Sequence, residues 1–108
     1  MKSSLKDKVE KWDKSKYGEP TEENIAKKLK DQGYSYITYV FPPGTDFSPH
    51  THPYTKKDSI ASGRFLFGMD GEEVILQPGE MIEVPANKVH YARVVGDEDV
   101  IFFDSTKK

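Results

Sequence analysis

The chain has no cysteine, and among its 108 residues there are one tryptophan, two arginines and three histidines. Without cysteine there can be no disulfide framework, thiolate ligand or thiol nucleophile, so a transition metal would have to be held by nitrogen and oxygen donors. Long apolar runs are also missing. The N-terminus is lysine-rich and carries neither a secretory leader nor a membrane-crossing stretch, which makes the cytoplasm the expected location. Charge of one sign is lacking too: 16 basic and 18 acidic residues leave a net charge of −2. That field is too weak to draw the chain to nucleic acid or an anionic membrane, and no DNA-binding helix is appended. The length suits one domain, whose function must be carried by a site.

The apolar residues that are present follow two periods. Thr21 can cap a helix whose first turn holds Glu22 and Glu23, whose last turn holds Lys28 and Lys30, and which Gly33 can end. Ile25, Ala26 and Leu29 give it a narrow apolar stripe, as expected of a helix laid on a larger body. Ahead of it, residues 1–20 read as an arm. Leu5, Val9 and Trp12 are spaced for one side of a helix, and Trp12 is expected to tuck onto the body or a partner subunit. From Tyr34 the period drops to two. Strands are expected at Tyr34 to Phe41, around His50 and His52, through Ser59 to Met69 with breaks at Gly63 and Gly68, and at Glu72 to Leu76. Three more follow at Met81 to Val84, Val89 to Val95 and Asp99 to Phe103. Turn signals at Pro42-Pro43-Gly44, Asp70-Gly71, Pro78-Gly79 and Pro85-Ala86-Asn87-Lys88 separate them. So many short strands predict a mostly β sandwich or barrel of the jelly-roll kind, one domain over residues 21–108 with a leading helix at 21–33.

The residues that carry chemistry gather between Gly44 and Gly63. Pro42, Pro43, Pro49 and Pro53 exclude a helix there, and in extended chain His50 and His52 project from one face. His90 follows a short strand and a prolyl turn. A barrel that folds this segment opposite the first brings all three imidazoles around one metal-sized volume. A single histidine is more often a surface or core hydrogen-bonding group than a ligand, but three in register point to a metal. Imidazole ligation suits Zn, Ni, Cu or Fe(II) rather than Mg or Ca.

These residues resemble the two motifs of the cupin family. The first reads Gly, five residues, His-x-His, three or four residues, Glu, six residues, Gly; here Gly44, His50, His52 and Gly63 keep the frame, and Lys56 stands in place of the glutamate. The second is similar to Gly79, Pro85, Asn87, His90 and Val94, with Asn87 in place of a glycine and Val94 in place of an asparagine. Asparagine tolerates a left-handed turn better than other non-glycine residues, so the first change is mild. The resemblance implies a double-stranded β-helix, the cupin barrel, and a divalent transition metal (Fe, Zn, Ni or Mn) on His50, His52 and His90. Lys56 is the informative departure, because an ammonium beside a divalent ion must swing away, lose its proton or be neutralised. Asp58, two residues on, can pair with Lys56 or serve as the oxygen ligand. Lys56 is then a candidate substrate-binding or acid–base group.

Two classes of function fit. One is a metal-dependent enzyme acting on a small organic substrate, of the oxygenase or the isomerase or lyase type. The other is a non-catalytic module that binds or senses a small molecule in the same pocket, and a metal that only stabilises the domain is a third use of the site. Fold does not decide among them. A homodimer is expected, since the family usually pairs sheets and this chain carries aromatic strands beside an arm that could cross to a partner.

Overall fold

A computed structural model describes residues 4–108. Two short helices and a strand come first: α1 (Leu5–Lys8), β1 (Val9–Glu10) and α2 (Lys14–Tyr17), followed by the longer helix α3 (Glu22–Asp31). Eight strands follow: β2 (Tyr34–Phe41), β3 (Asp46–His50), β4 (Lys56–Ser62), β5 (Arg64–Met69), β6 (Glu72–Leu76), β7 (Met81–Val84), β8 (His90–Val95) and β9 (Val100–Lys107). They form two antiparallel sheets, one ordered β1-β7-β4-β9-β2 and the other β3-β8-β5-β6. Consecutive strands repeatedly change sheets, so the two sheets face each other as the jelly roll expected from the strand pattern. Among the described residues no helix is long and apolar enough to cross a membrane.

The period of two divides each strand between two environments. On the five-stranded sheet, Ile60, Ile82, Val100 and Phe102 face inward and meet Phe65, Phe67, Leu76 and Val94 of the other sheet. The outward residues Tyr34, Met81 and Phe103 are covered by Ile25 and Leu29 of α3. Both helix residues are 0% exposed, and each such burial stabilises by about 2 kcal/mol. Thr21 Oγ1 accepts from the Asn24 amide and caps α3 as its sequence predicts. At the other end Gly33 takes the left-handed conformation, with φ 85°.

Two departures from the sequence reading matter. Leu5, Val9 and Trp12 do not share one helix: Leu5 sits in α1, Val9 pairs with Ile82 as β1, and Trp12 follows in a loop. The open edge of β7 offers backbone partners that a short exposed helix lacks. Trp12 packs on the body at Gly79, where an added Cβ would stand 2.8 Å from the indole. Of the arm expected over residues 1–20, residues 1–3 lie outside the described residues. The second departure is at β3, which ends at His50 instead of running on through His52.

Candidate metal centre

β3 and β8 bring the histidines together. Phe47 pairs with Ala92 and His50 with His90, so three steps along β3 match two along β8. The extra residue is a bulge, and Pro49, which has no amide hydrogen to give a ladder, lies within it. The bulge reverses strand parity. Residues 47 and 50, three apart, would otherwise face opposite sides, yet both line the same cavity. His52 lies just beyond the strand, and its carbonyl accepts from the Asn87 amide at 2.7 Å. Asn87 is left-handed, with φ 64°, as expected where the family motif has glycine. One turn thus holds His52 close to His90, three residues after Asn87.

One ligand atom from each of His50, His52 and His90 lies within 4.8 Å of the others. The ring centroids are 4.2 Å apart for His50 and His90, 4.8 Å for His50 and His52, and 5.1 Å for His52 and His90. His50 Nδ1 lies 2.7 Å from the Ser48 carbonyl oxygen, and His90 Nδ1 lies 2.9 Å from that of Lys88. A carbonyl only accepts, so each Nδ1 carries a hydrogen, and Nε2 is the ring nitrogen left to take a metal. Burial lowers the pKa of both His52 and His90, and the cation of Lys56 and the neighbouring imidazoles lower it further; for His90 the bond to Lys88 works the other way. Three converging imidazoles, two of them with satisfied outer nitrogens, suit one divalent transition ion.

The remaining predicted residues stand across the cavity. Lys56 does not approach the ion position freely: its ammonium is 3.0 Å from Asp104 Oδ1. Of the three outcomes open to it, neutralisation is the one observed, and sequence reasoning missed the neutralising partner. A signal was there, because Asp104 keeps the inward parity of Val100 and Phe102 in β9, where a carboxylate is out of place. Asp58 lines the same cavity but lies outside the group of three histidines. It is directly paired with Asp104 across β4 and β9. Arg64 and Arg93 are exposed on their strands and take no part.

The cavity holds about 270 Å³. Tyr39, Phe41, Phe47, Phe65 and Phe102 make an aromatic wall, while the histidines, Asp58 and Asp104 supply the polar groups. An apolar concavity with a few convergent polar groups is the usual form of a small-molecule site.

Known proteins with this pattern share its fold. The family model described as a cupin domain matches residues 37–106. Quercetin 2,3-dioxygenase of Bacillus subtilis (strain 168) is 33% identical over 70 residues, which make up 64% of this chain and 21% of that enzyme. The chain therefore spans about a fifth of the length of this curated relative. Among solved structures, a cupin-like protein of Thermotoga maritima superposes with a TM-score of 0.61 at 25% identity, covering 69% of this chain and 57% of that one. A chain from crystal structures of DMSP lyases gives a TM-score of 0.63 at 26% identity, covering 71% and 40%. With the barrel, both histidine motifs and a matching family model over most of its length, this chain belongs to the cupin family.

Proposed function

We propose that this cupin is a metal-dependent enzyme acting on a small organic molecule, with His50, His52 and His90 holding one divalent transition ion (Fe, Zn, Ni or Mn). The observation that carries the reading is the convergence of three imidazoles within 4.8 Å beside an aromatic-walled cavity. Bound there, the ion would supply Lewis acidity or oxygen activation. The chain's own residues supply the rest. The aromatic wall takes an apolar or planar substrate body and excludes water, and the three histidines face the cavity from one side. The carboxyl groups of Asp58 and Asp104 face it from the other. The names of a dioxygenase and of lyases among its relatives support an enzymatic use of this fold.

Turnover tests the proposal. The protein is loaded separately with Fe, Mn, Ni and Zn, then incubated with quercetin and with a panel of small aromatic oxo- and hydroxy-acids. Dioxygen consumption and product formation are followed for wild type and His90→Ala. Conversion by wild type that His90→Ala loses is the expected result. A ligand that raises the melting temperature without being converted under any metal would favour the binding or sensing role instead.

A further inference from the structure

On the sheet that faces the histidines, β4 and β9 set two carboxyl groups side by side. Asp58 and Asp104 are directly paired across the strands, and both line the cavity. Directly opposed side chains of this kind have Cβ atoms about 5 Å apart, and two like charges so placed repel. Two residues back along β4, Lys56 gives its ammonium to Asp104 at 3.0 Å. Among the described residues no ion pair reaches Asp58, which is only 8% exposed and has Ile82 as its neighbour on β7. One cation serves two carboxyl groups, so the cluster is electrically balanced when it keeps a single proton. Asp58, the more buried and the unpaired member, is where that proton belongs.

We propose that Asp58 and Asp104, held by Lys56, form an acid–base pair facing the histidine centre across the cavity, and that Asp58 exchanges a proton with the substrate lying between them. The inference rests on the metal-enzyme reading and adds a reaction type, proton transfer leading to isomerisation or elimination. The substrate class is a small molecule with an oxygen function toward the histidines and an acidic C–H toward Asp58. The step starts from the ionised form of Asp58, its proton having passed to solvent: the C–H bond breaks, its electron pair stays on the substrate and spreads onto that oxygen, and the proton forms an O–H bond with the Asp58 carboxylate. Return of the proton to a neighbouring atom completes an isomerisation. In an elimination the leaving group departs with its bonding pair and takes the proton from Asp58. No oxidant or reductant is consumed. Asp104 and Lys56 are positioning residues, since they act on the substrate only through where Asp58 keeps its proton.

The electrostatics agree with this geometry. Burial first, and the Asp104 carboxylate second, push Asp58 up to about 7 against the opposing pull of Lys56, which suits a group that must both take and give a proton near neutrality. Other titratable groups around the cavity are His50, His52 and His90 on the facing side and Tyr39 on β2.

The test combines three readouts on wild type, Asp58→Asn and Lys56→Met. Carboxyl carbons are followed by NMR through a pH titration of metal-free protein, zinc content is measured after loading, and phenylpyruvate in heavy water reports C–H exchange by the zinc form. One aspartate carboxyl is expected to titrate near neutral pH in wild type, to vanish in Asp58→Asn and to titrate higher in Lys56→Met. Asp58→Asn should keep its zinc and exchange phenylpyruvate roughly 100-fold more slowly. Equal exchange rates in wild type and Asp58→Asn overturn the proposal, as does titration of Asp58 in the ordinary carboxylate range. Loss of zinc in Asp58→Asn overturns it too, by making Asp58 a ligand. Failure of the metal reading looks different: wild type takes up no zinc while the near-neutral titration of Asp58 persists.

Discussion

Lys56 stands at the position where the family's first motif carries glutamate, four residues after His52. A free ammonium about 5 Å from a divalent ion would be repelled by roughly 6–7 kcal/mol at an effective dielectric of about 20; Asp104, 3.0 Å from it, removes most of that cost. Lys56→Glu deletes the cation and offers a carboxylate to the ion. Affinity for a divalent metal is predicted to rise by about tenfold or more, while the metal-free protein, with three carboxyl groups on one cavity wall, should melt at a lower temperature. Metal titration checks the first effect and thermal unfolding with chelator the second; unchanged affinity would show that this side chain faces away from the ion. At this scale the histidines are legible in the sequence because each falls on a motif position. The parity of β9 marks Asp104 as inward, but its pairing with Lys56 is not legible, because the link spans 48 positions and exists only once β4 and β9 are paired.

Among the elements, the N-terminal segment is held by charge as well as by Leu5, Val9 and Trp12 packed on the core. Glu10 of β1 takes Lys28 of α3 at 2.8 Å and Lys57 of β4 at 2.8 Å. Lys28 also lies 5.2 Å from the ring centroids of both Trp12 and Tyr17. Burial alone would raise the pKa of Glu10, but hydrogen bonds from Lys28, Lys57 and Gln32 outweigh it and hold the group down to about 2 from an ordinary 4.5. A folded value below the unfolded one means that this stabilisation is present above about pH 4.5 and is lost as pH falls toward about 2. Glu10→Ala leaves two buried ammonium groups without their carboxylate. It is predicted to cost about 3 kcal/mol at neutral pH and to flatten the acid limb of the stability curve, both measurable by denaturant unfolding at several pH values. The α3 boundaries and most strands are legible from caps, turns and period. β1 is not, because a two-residue strand has no period and forms only where β7 leaves an edge open. The β3 bulge is not legible either, since only the partner strand shows that Phe47 and His50 share a face.

The whole molecule is two facing sheets, with α3 covering the outer face of one and the cavity opening between their inner faces. β2 ends the five-stranded sheet, and among the described residues it pairs only with β9. It leaves Ile37 60% and Val40 61% exposed, an apolar open edge of the kind that pairs with a second copy about a two-fold axis. A homodimer through β2 is predicted, with Val40→Lys weakening it; light scattering that gives a monomer for wild type at working concentration would contradict this. Whatever the assembly, the central claim is one metal ion per chain on three histidines drawn from the two cupin motifs. Elemental analysis of purified wild type and of His50→Ala, His52→Ala and His90→Ala tests it most directly. The account predicts one divalent transition ion per chain in wild type and its loss in each variant; full wild-type stoichiometry retained by all three variants would contradict it.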